Sequence, residues 1–326
     1  SEESGESEES EQSGGSDDME GDEGSQGSEE DSEDGDSDGE GREGELMEDP
    51  ATVRERLDEA LALLKVRGKG RAQNRSEVIA KLSRDLSEYF GYNEELTELF
   101  LEIFSPDECV EYFEASDKPR PLVIRTNTLK TTRKSLMEAL TQRGVTLEAI
   151  DWSKVAIKVT ASSVPVGATP EYLAGHYMLQ AAASLNPVMA LAPLPGERCL
   201  DMSSAPGGKT AYMAQLMKNA GMVVANDLKA ERQKATIANL HRLGCKNVVY
   251  SSADGRKLPS GMRGFDRVLL DAPCSGMGVI SRDQSVKTQR TVKDIERMAH
   301  LQKELLVAAV DACNPKSKTG GFVVYS

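Results

Sequence analysis

The apolar positions of this chain change period twice. Over 76–113 they recur at helical spacing, first Ile79, Leu82 and Leu86, then Leu96, Leu99, Phe100 and Ile103, which predicts two or three helices. A short helix is expected ahead of them at 51–64. From Pro121 the pattern becomes β-branched and alternating. "PLVIRTNTLK" predicts a strand, "TRKSLMEALTQRGV" an amphipathic helix closed by Gly144, and "KVAIKVT" a second strand. Together they predict a small β-α-β unit running from Pro121 to about Thr160. In "GATPEYLAGHYMLQAAASLNPVMAL" the Ala-rich centre predicts a packing helix. From Glu197 onward strand and helix alternate, with strands expected at 198–202, 222–227, 248–251, 266–271 and 321–326 and helices at 209–219, 230–243 and 292–312. Alternation at this spacing calls for right-handed crossovers and a parallel sheet. Ligands on such sheets bind beyond the carboxyl ends of the strands, so the polar strand tips should converge on one site.

Four tips carry chemistry: Asp201 with Ser203–Lys209, Asn226-Asp227, Ala253-Asp254-Gly255, and Asp271-Ala-Pro-Cys274-Ser-Gly276. "SSAPGGKT" ends like a phosphate-gripping loop, and "RVLLDAP" imitates the strand and aspartate that would hold magnesium. The match is partial. Ser203 stands where the first glycine of such a loop belongs, and Pro206 pushes its neighbour towards extended geometry. The other reading is a nucleoside cofactor without a long phosphate chain. Gly207 and Gly208 let backbone approach a ligand, and a helix starting near Lys209 offers free N–H groups to a carboxylate. Asp227, 20 residues after Gly207, is placed to accept from ribose hydroxyls, and Asp254 could pair with an adenine amino group. Together these describe an S-adenosylmethionine pocket. At the fourth tip, a cysteine beside a proline suggests covalent chemistry on a pyrimidine, or its reversal. Carbon 5 is a poor nucleophile until a thiolate adds to carbon 6. The bland alternative for Cys274 is a small buried apolar side chain.

Charge divides the chain. Residues 1–50 carry 23 Asp and Glu against Arg42 alone, whereas the rest carries 38 Lys and Arg against 31 Asp and Glu. The acidic, Ser- and Gly-rich head lacks the apolar residues that offset the entropy of folding, so a disordered tail is expected over 1–50. It reads either as a solubilising tail or as an acidic nuclear tail that competes for basic partners. The basic, Gly-containing stretch 65–75 reads as a solvated linker or a phosphate-contacting arm. Arg120, Arg125, Lys130, Arg133 and Lys134 concentrate positive charge on the β-α-β unit, either as a solvated face or as an RNA contact. The five cysteines are scattered, without a C-x-x-C pair, and the three histidines are dispersed. No metal site, disulfide framework or membrane span is expected.

The motifs "LDMSSAPGGKT", "NDLKAERQ", "ADGRKLP" and "LDAPCSGMGVISRD", with "RPLVIRTNTLK" and "GATPEYLAGHYMLQAAAS" upstream, resemble the Nol/Nop/Sun family of RNA cytosine-5 methyltransferases. The likeness covers about residues 76–326 and is greatest to the nucleolar subgroup that modifies large-subunit ribosomal RNA. It implies an α/β, Rossmann-like class I S-adenosylmethionine-dependent methyltransferase fold, preceded by a small α+β domain. Expected divisions are the acidic tail at 1–50, helix and linker at 51–75, an RNA-binding α+β domain at 76–195 and the methyltransferase domain at 196–326. The resemblance further implies that Ser203, Ser204, Ala205, Pro206, Gly207, Gly208, Lys209, Asp227, Asp254 and Asp271 line the cofactor and cytosine site. Asp271 would grip the target base, and Cys274 would assist release of the methylated RNA. The family's nucleophile is a second cysteine in a Thr-Cys-Ser motif after a strand like 321–326. The chain ends at "GGFVVYS", so a fragment without methyl-transfer activity, its parallel sheet short of the last strands, is expected. Ser203 and Ser204 also depart from the usual Cys-Ala-Ala before the loop. Implied partners are large-subunit ribosomal RNA precursor and pre-ribosomal assembly factors, in the nucleolus. An RNA-binding assembly scaffold is the competing function class, and a degenerate P-loop NTPase a further one.

Overall fold

Helix α1 (Pro50–Lys65) buries Val53, Leu57 and Ala60, an apolar stripe at spacings of four and three. It packs on α2 (Ala72–Phe90), and α3 (Glu94–Ile103) and α4 (Pro106–Asp117) complete a helical module. Asn93 caps α3 by accepting from the Leu96 N–H, and Ser105 with Glu108 forms a capping box on α4. Leu82, Leu86, Leu96 and an aromatic group around Phe90, Tyr92, Phe100 and Phe113 fill its core. The computed structural model describes residues 49–65 and 72–326. The expected disordered tail, up to residue 48, and the linker centre at 66–71 lie outside the described residues. The linker expected to reach Arg75 ends earlier, because α2 begins at Ala72.

The second layer is a four-stranded antiparallel sheet of β1 (Leu122–Thr126), β2 (Val145–Ala149), β3 (Ala156–Ser162) and β4 (Tyr177–Leu179), ordered β2-β3-β1-β4, with α5 (Arg133–Gln142) against one face. This corrects one expectation. The β-α-β unit contains an additional strand, β2, which pairs with β3 as a hairpin and so turns β3 antiparallel to β1. The packing helix expected at the Ala-rich centre is present, as a 3₁₀ turn over Ala182–Leu185 that runs directly into the next helix and buries Leu185, Val188 and Leu191. Short helices α6 (Pro170–Leu173) and α7 (Asn186–Leu191) bracket β4, whose Tyr177, Met178 and Leu179 pair with β1. Gly175 ends α6 in a positive-φ turn, and a Cβ there would lie 1.9 Å from the Arg242 carbonyl oxygen, so no helix can pass through.

The third layer is a five-stranded parallel sheet in the order β7-β6-β5-β8-β9. Its strands are β5 (Arg198–Asp201), β6 (Met222–Asn226), β7 (Val248–Ser251), β8 (Arg267–Leu270) and β9 (Phe322–Tyr325). Helices α8 (Gly208–Leu216), α9 (Ala230–Leu243), α10 (Leu258–Gly261), α11 (Val286–Gln289) and α12 (Val292–Ala312) connect them. The fold is therefore α/β and Rossmann-like, with a smaller layer ahead of it. Each expected strand and helix of this half is present within a few residues of its expected ends. The chain steps outward from β5 to β7 and then crosses back to β8, so the strand order reverses between β5 and β8. That reversal opens a crevice at their carboxyl ends. Both sheets share one core, because Val123 of β1 and Ala156 of β3 pack in the same cluster as Cys199, Tyr212, Met213 and Leu269. Among the described residues no helix is long and apolar enough to cross a membrane. No group of three or more His, Cys, Asp or Glu there could hold a metal ion.

Candidate active site

Strand β5 delivers Asp201 fully buried to the mouth of the crevice. Its carboxylate accepts from the Thr210 hydroxyl at 2.7 Å and from the Ser203 N–H at 3.4 Å, bracing the loop between them. Burial outweighs these bonds and pushes the Asp201 carboxyl up to about 6. The contribution of this proton to stability is complete below the unfolded carboxylate range and is lost as pH rises through about 6. Asp201→Asn is therefore expected to gain on the wild type in thermal melts across that window, and a constant difference would refute the assignment. Gly207 then caps α8 with φ +93°, where an added Cβ would stand 3.3 Å from Thr236. With no side chain at the cap, the first N–H groups of α8 and its positive end face the crevice bare.

The remaining tips converge on this loop. Asp227, at the end of β6, is buried and accepts from the Ala205 N–H at 3.3 Å and the Lys229 N–H at 3.2 Å. Asp254, at the end of β7, is held by Arg256 through Nε at 3.0 Å and Nη2 at 2.8 Å, and Arg256 in turn reaches Glu304 at 2.9 Å. The Arg256 bonds hold the Asp254 carboxyl below its ordinary range, and an adenine amino group would share these oxygens with Arg256. Lys209 and Asp271 form an ion pair of 2.5 Å across the strand-order reversal, tying the β5 loop to the β8 tip. A cleft of about 420 Å³ opens there, lined by Ser203, Ser204, Ala205, Pro206, Gly208, Lys209 and Asp271. Its facing wall comes from the antiparallel layer, with Arg120, Gln180 and Ser184, and Arg282 closes one side. Gly207, Asp227 and Asp254 stand outside that lining, further along the strand tips.

The family model described as "16S rRNA methyltransferase RsmB/F" matches residues 188–326, and the "Methyltr_RsmF/B-like, ferredoxin-like domain" matches 101–166. The 25S rRNA (cytosine-C(5))-methyltransferase nop2 of Schizosaccharomyces pombe is 58% identical over 256 residues, covering 78% of this chain and 42% of that protein. The human 28S rRNA (cytosine(4447)-C(5))-methyltransferase is 54% identical over 280 residues, covering 85% of this chain and 34% of that protein. A crystal structure of a methyltransferase homologue from Pyrococcus horikoshii superposes with a TM-score of 0.64 at 34% identity, covering 71% of this chain and 72% of that one. The chain belongs to the Nol/Nop/Sun methyltransferase family. This Nol/Nop/Sun chain spans 42% or less of the length of both curated relatives.

S-adenosylmethionine is the cofactor of the Nol/Nop/Sun family, and the residues present fit it. A bare helix N-terminus suits the methionine carboxylate, and a buried acceptor-only carboxylate at Asp227 suits a ribose diol. Thr210 and Lys209, which a phosphate loop turns to magnesium and to phosphate, are engaged by Asp201 and Asp271. Three residues after Asp271, Cys274 is exposed, which removes the alternative of a buried apolar side chain.

The sequence placed Asn226 at a strand tip without a role, and Gln233 escaped it. Asn226 donates to the Met202 and Ala253 carbonyls at 3.1 and 2.9 Å and accepts from the Ala253 N–H, stapling three strand tips. Gln233 does the same from α9, donating to the Ala225 and Ser251 carbonyls. The available signal was position: Gln233 and Thr236 lie on the same inward face of α9 as Leu240 and Leu243. The basic cluster, read as either a solvated face or an RNA contact, does not form one surface. Arg125 is fully buried, donates to the Gly208 carbonyl and Gln180, and lies 5.0 Å over the Tyr212 ring. Lys130 donates to the Ala174 and Arg242 carbonyls, and Arg133 to that of Ser153, so these charges satisfy carbonyl groups. Arg120, Lys130 and Lys134 stay exposed, and of the five only Arg120 lines the cleft.

Proposed function

We propose that this chain is the core of an RNA (cytosine-5) methyltransferase that acts on large-subunit ribosomal RNA. The observation that carries this reading is the Lys209–Asp271 pair spanning the crevice, with the exposed Cys274 three residues on. The names of the fission-yeast and human relatives bring cytosine and large-subunit ribosomal RNA to it. S-adenosylmethionine supplies an electron-poor methyl group. Ser203–Lys209, Asp227 and Asp254 hold that cofactor, residues 76–195 present the RNA, and residues 196–326 form the methyltransferase domain. Asp271, oriented by Lys209, accepts from the exocyclic amino group of the target cytosine. The four-stranded layer covers the cleft and keeps bulk water from the reacting carbon. A covalently held base is freed when its carbon 5 proton is lost and the thiolate leaves carbon 6, and Cys274 assists that departure. Action in the nucleolus beside pre-ribosomal assembly factors is part of the same proposal.

In the full-length protein, Cys274→Ala is expected to leave RNA covalently attached to the enzyme, visible as a shifted band on a denaturing gel. No adduct would remove Cys274 from the release role. A folded chain that gives no heat with the cofactor analogue sinefungin would leave only the RNA-binding scaffold.

A further inference from the structure

Between Pro273 and Thr291 the chain has no strand and only two short turns of helix, yet it begins with Cys274 and carries Arg282 to the cleft. At its start it is tied to the sheet, where Gln302 donates to the Pro273 carbonyl at 2.7 Å and the Ala272 N–H reaches Ser326. Its far end is held by the helical module instead. Ile280 and Val286 are buried in that module's core. Lys287, 6% exposed, sends its ammonium to the Phe90 carbonyl at the end of α2 at 2.8 Å and to Asp117 at the end of α4 at 2.6 Å, with the Tyr92 ring 5.1 Å away. A cation at a helix C-terminus is favoured by the helix dipole as well as by the carboxylate. Asn93 grips the same segment, donating through its amide to the Arg290 carbonyl at 2.6 Å and the Thr288 carbonyl at 3.3 Å, while its N–H donates to Lys287. Residues 50–100, which supply Phe90, Tyr92 and Asn93, lie outside both matched family regions.

We infer that the α1–α4 module is a clamp on the Cys274–Arg290 loop, and that Lys287 and Asn93 are positioning residues that fix Arg282 at the cleft. The inference rests on the cleft being the RNA site. Neither residue touches the cleft, so both act through the loop. A loop this poor in regular structure takes its place from side-chain anchors, and losing one should release it locally without unfolding the sheet.

The test uses two substitutions that enter from opposite sides. Lys287→Met removes the buried cation. Asn93→Asp keeps the oxygen that caps α3 but sets an acceptor against the Thr288 and Arg290 carbonyls, so α3 survives while the grip is lost. Each should speed amide hydrogen exchange over residues 276–290 by about tenfold or more while leaving α8 unchanged. Sinefungin affinity should stay within about twofold, and binding of a cytidine-containing single-stranded oligonucleotide should weaken about tenfold. Arg282→Ala should weaken that oligonucleotide similarly, and Lys287→Met added to it should cost little more, because both act on one contact. Unchanged exchange over 276–290, or fully additive losses in the double variant, would overturn the clamp. If the wild type binds neither sinefungin nor the oligonucleotide, the proposed function fails, and the exchange measurement alone then decides whether the clamp exists.

Discussion

Asp227→Asn is expected to weaken sinefungin binding by one to two orders of magnitude in a chain that stays folded. The Asp227 side chain is buried at the β6 tip, and an aspartate there can only accept hydrogen bonds. Two ribose hydroxyls need two acceptor oxygens. Asparagine keeps one, which can still serve the Lys229 N–H, and replaces the other, which accepts from the Ala205 N–H and pairs with Arg232 at 3.4 Å, with a donor. A hydrogen bond to a charged group contributes about 1.5–3 kcal/mol, and each 1.4 kcal/mol is about tenfold in affinity. The loss is therefore roughly 10- to 150-fold by calorimetry. Unaltered affinity would place the ribose elsewhere.

The largest expected effect on stability lies at the opposite ends of the same strands. Arg267 is buried at the start of β8, and its Nε donates to both Glu197 oxygens at 3.1 Å, with further bonds to the Leu191 and Thr319 carbonyls at 3.3 Å. Glu197 also accepts from the Leu194 N–H at 2.6 Å and from the Thr319 hydroxyl. One ion pair thus joins α7, β5, β8 and the approach to β9. Removing the cation alone leaves a carboxylate buried without its partner, so Arg267→Ala should cost about 3–5 kcal/mol in chemical denaturation. Against a typical total of about 5–15 kcal/mol this is about a fifth of the stability or more. Burial alone would raise the Glu197 carboxyl, but Arg267 with the Leu194 and Thr319 donors holds it below its ordinary value. A lowered folded value gives stability that is present above the unfolded carboxylate range and lost as pH falls through the folded one. The gap between wild type and Arg267→Ala should therefore narrow in acid. Glu197→Gln combined with Arg267→Met should recover part of the loss, and a double variant as unstable as the single one would show that the buried carboxylate is not the cause.

What could be read in advance divides along physical lines. The parallel half was legible because its strands hold short continuous apolar runs, such as residues 222–225 and 268–270, separated by amphipathic helices. In the antiparallel layer β1, α5 and β3 were legible, but β2 and β4 were not. Strand β2 shows a burial pattern too weak to declare itself, with only Val145 fully inside. Between α6 and the Ala-rich centre the helix is interrupted by Gly175 and by the pairing of β4 with β1, whereas Pro170 and Pro187 sit in the first turns of α6 and α7. The strand tips were readable as acidic residues in register, yet which of them line the cleft depends on side-chain direction. Arg125 marks the limit most clearly. In sequence it is one of five cationic residues near one strand, and only the packing of β1 against α8 shows that its partner is the Gly208 carbonyl.

The shared core has a consequence for how a ligand can enter. Val123 and Ala156 pack among residues of the parallel sheet and its helices, and Arg125 bonds across the same boundary. The antiparallel layer is therefore not a lobe that swings on a hinge. Two walls of the cleft have a fixed separation, and the third, the segment following Cys274, is held by the α1–α4 module. A groove with two rigid sides is already shaped before anything arrives, so little ordering entropy remains to be lost on binding.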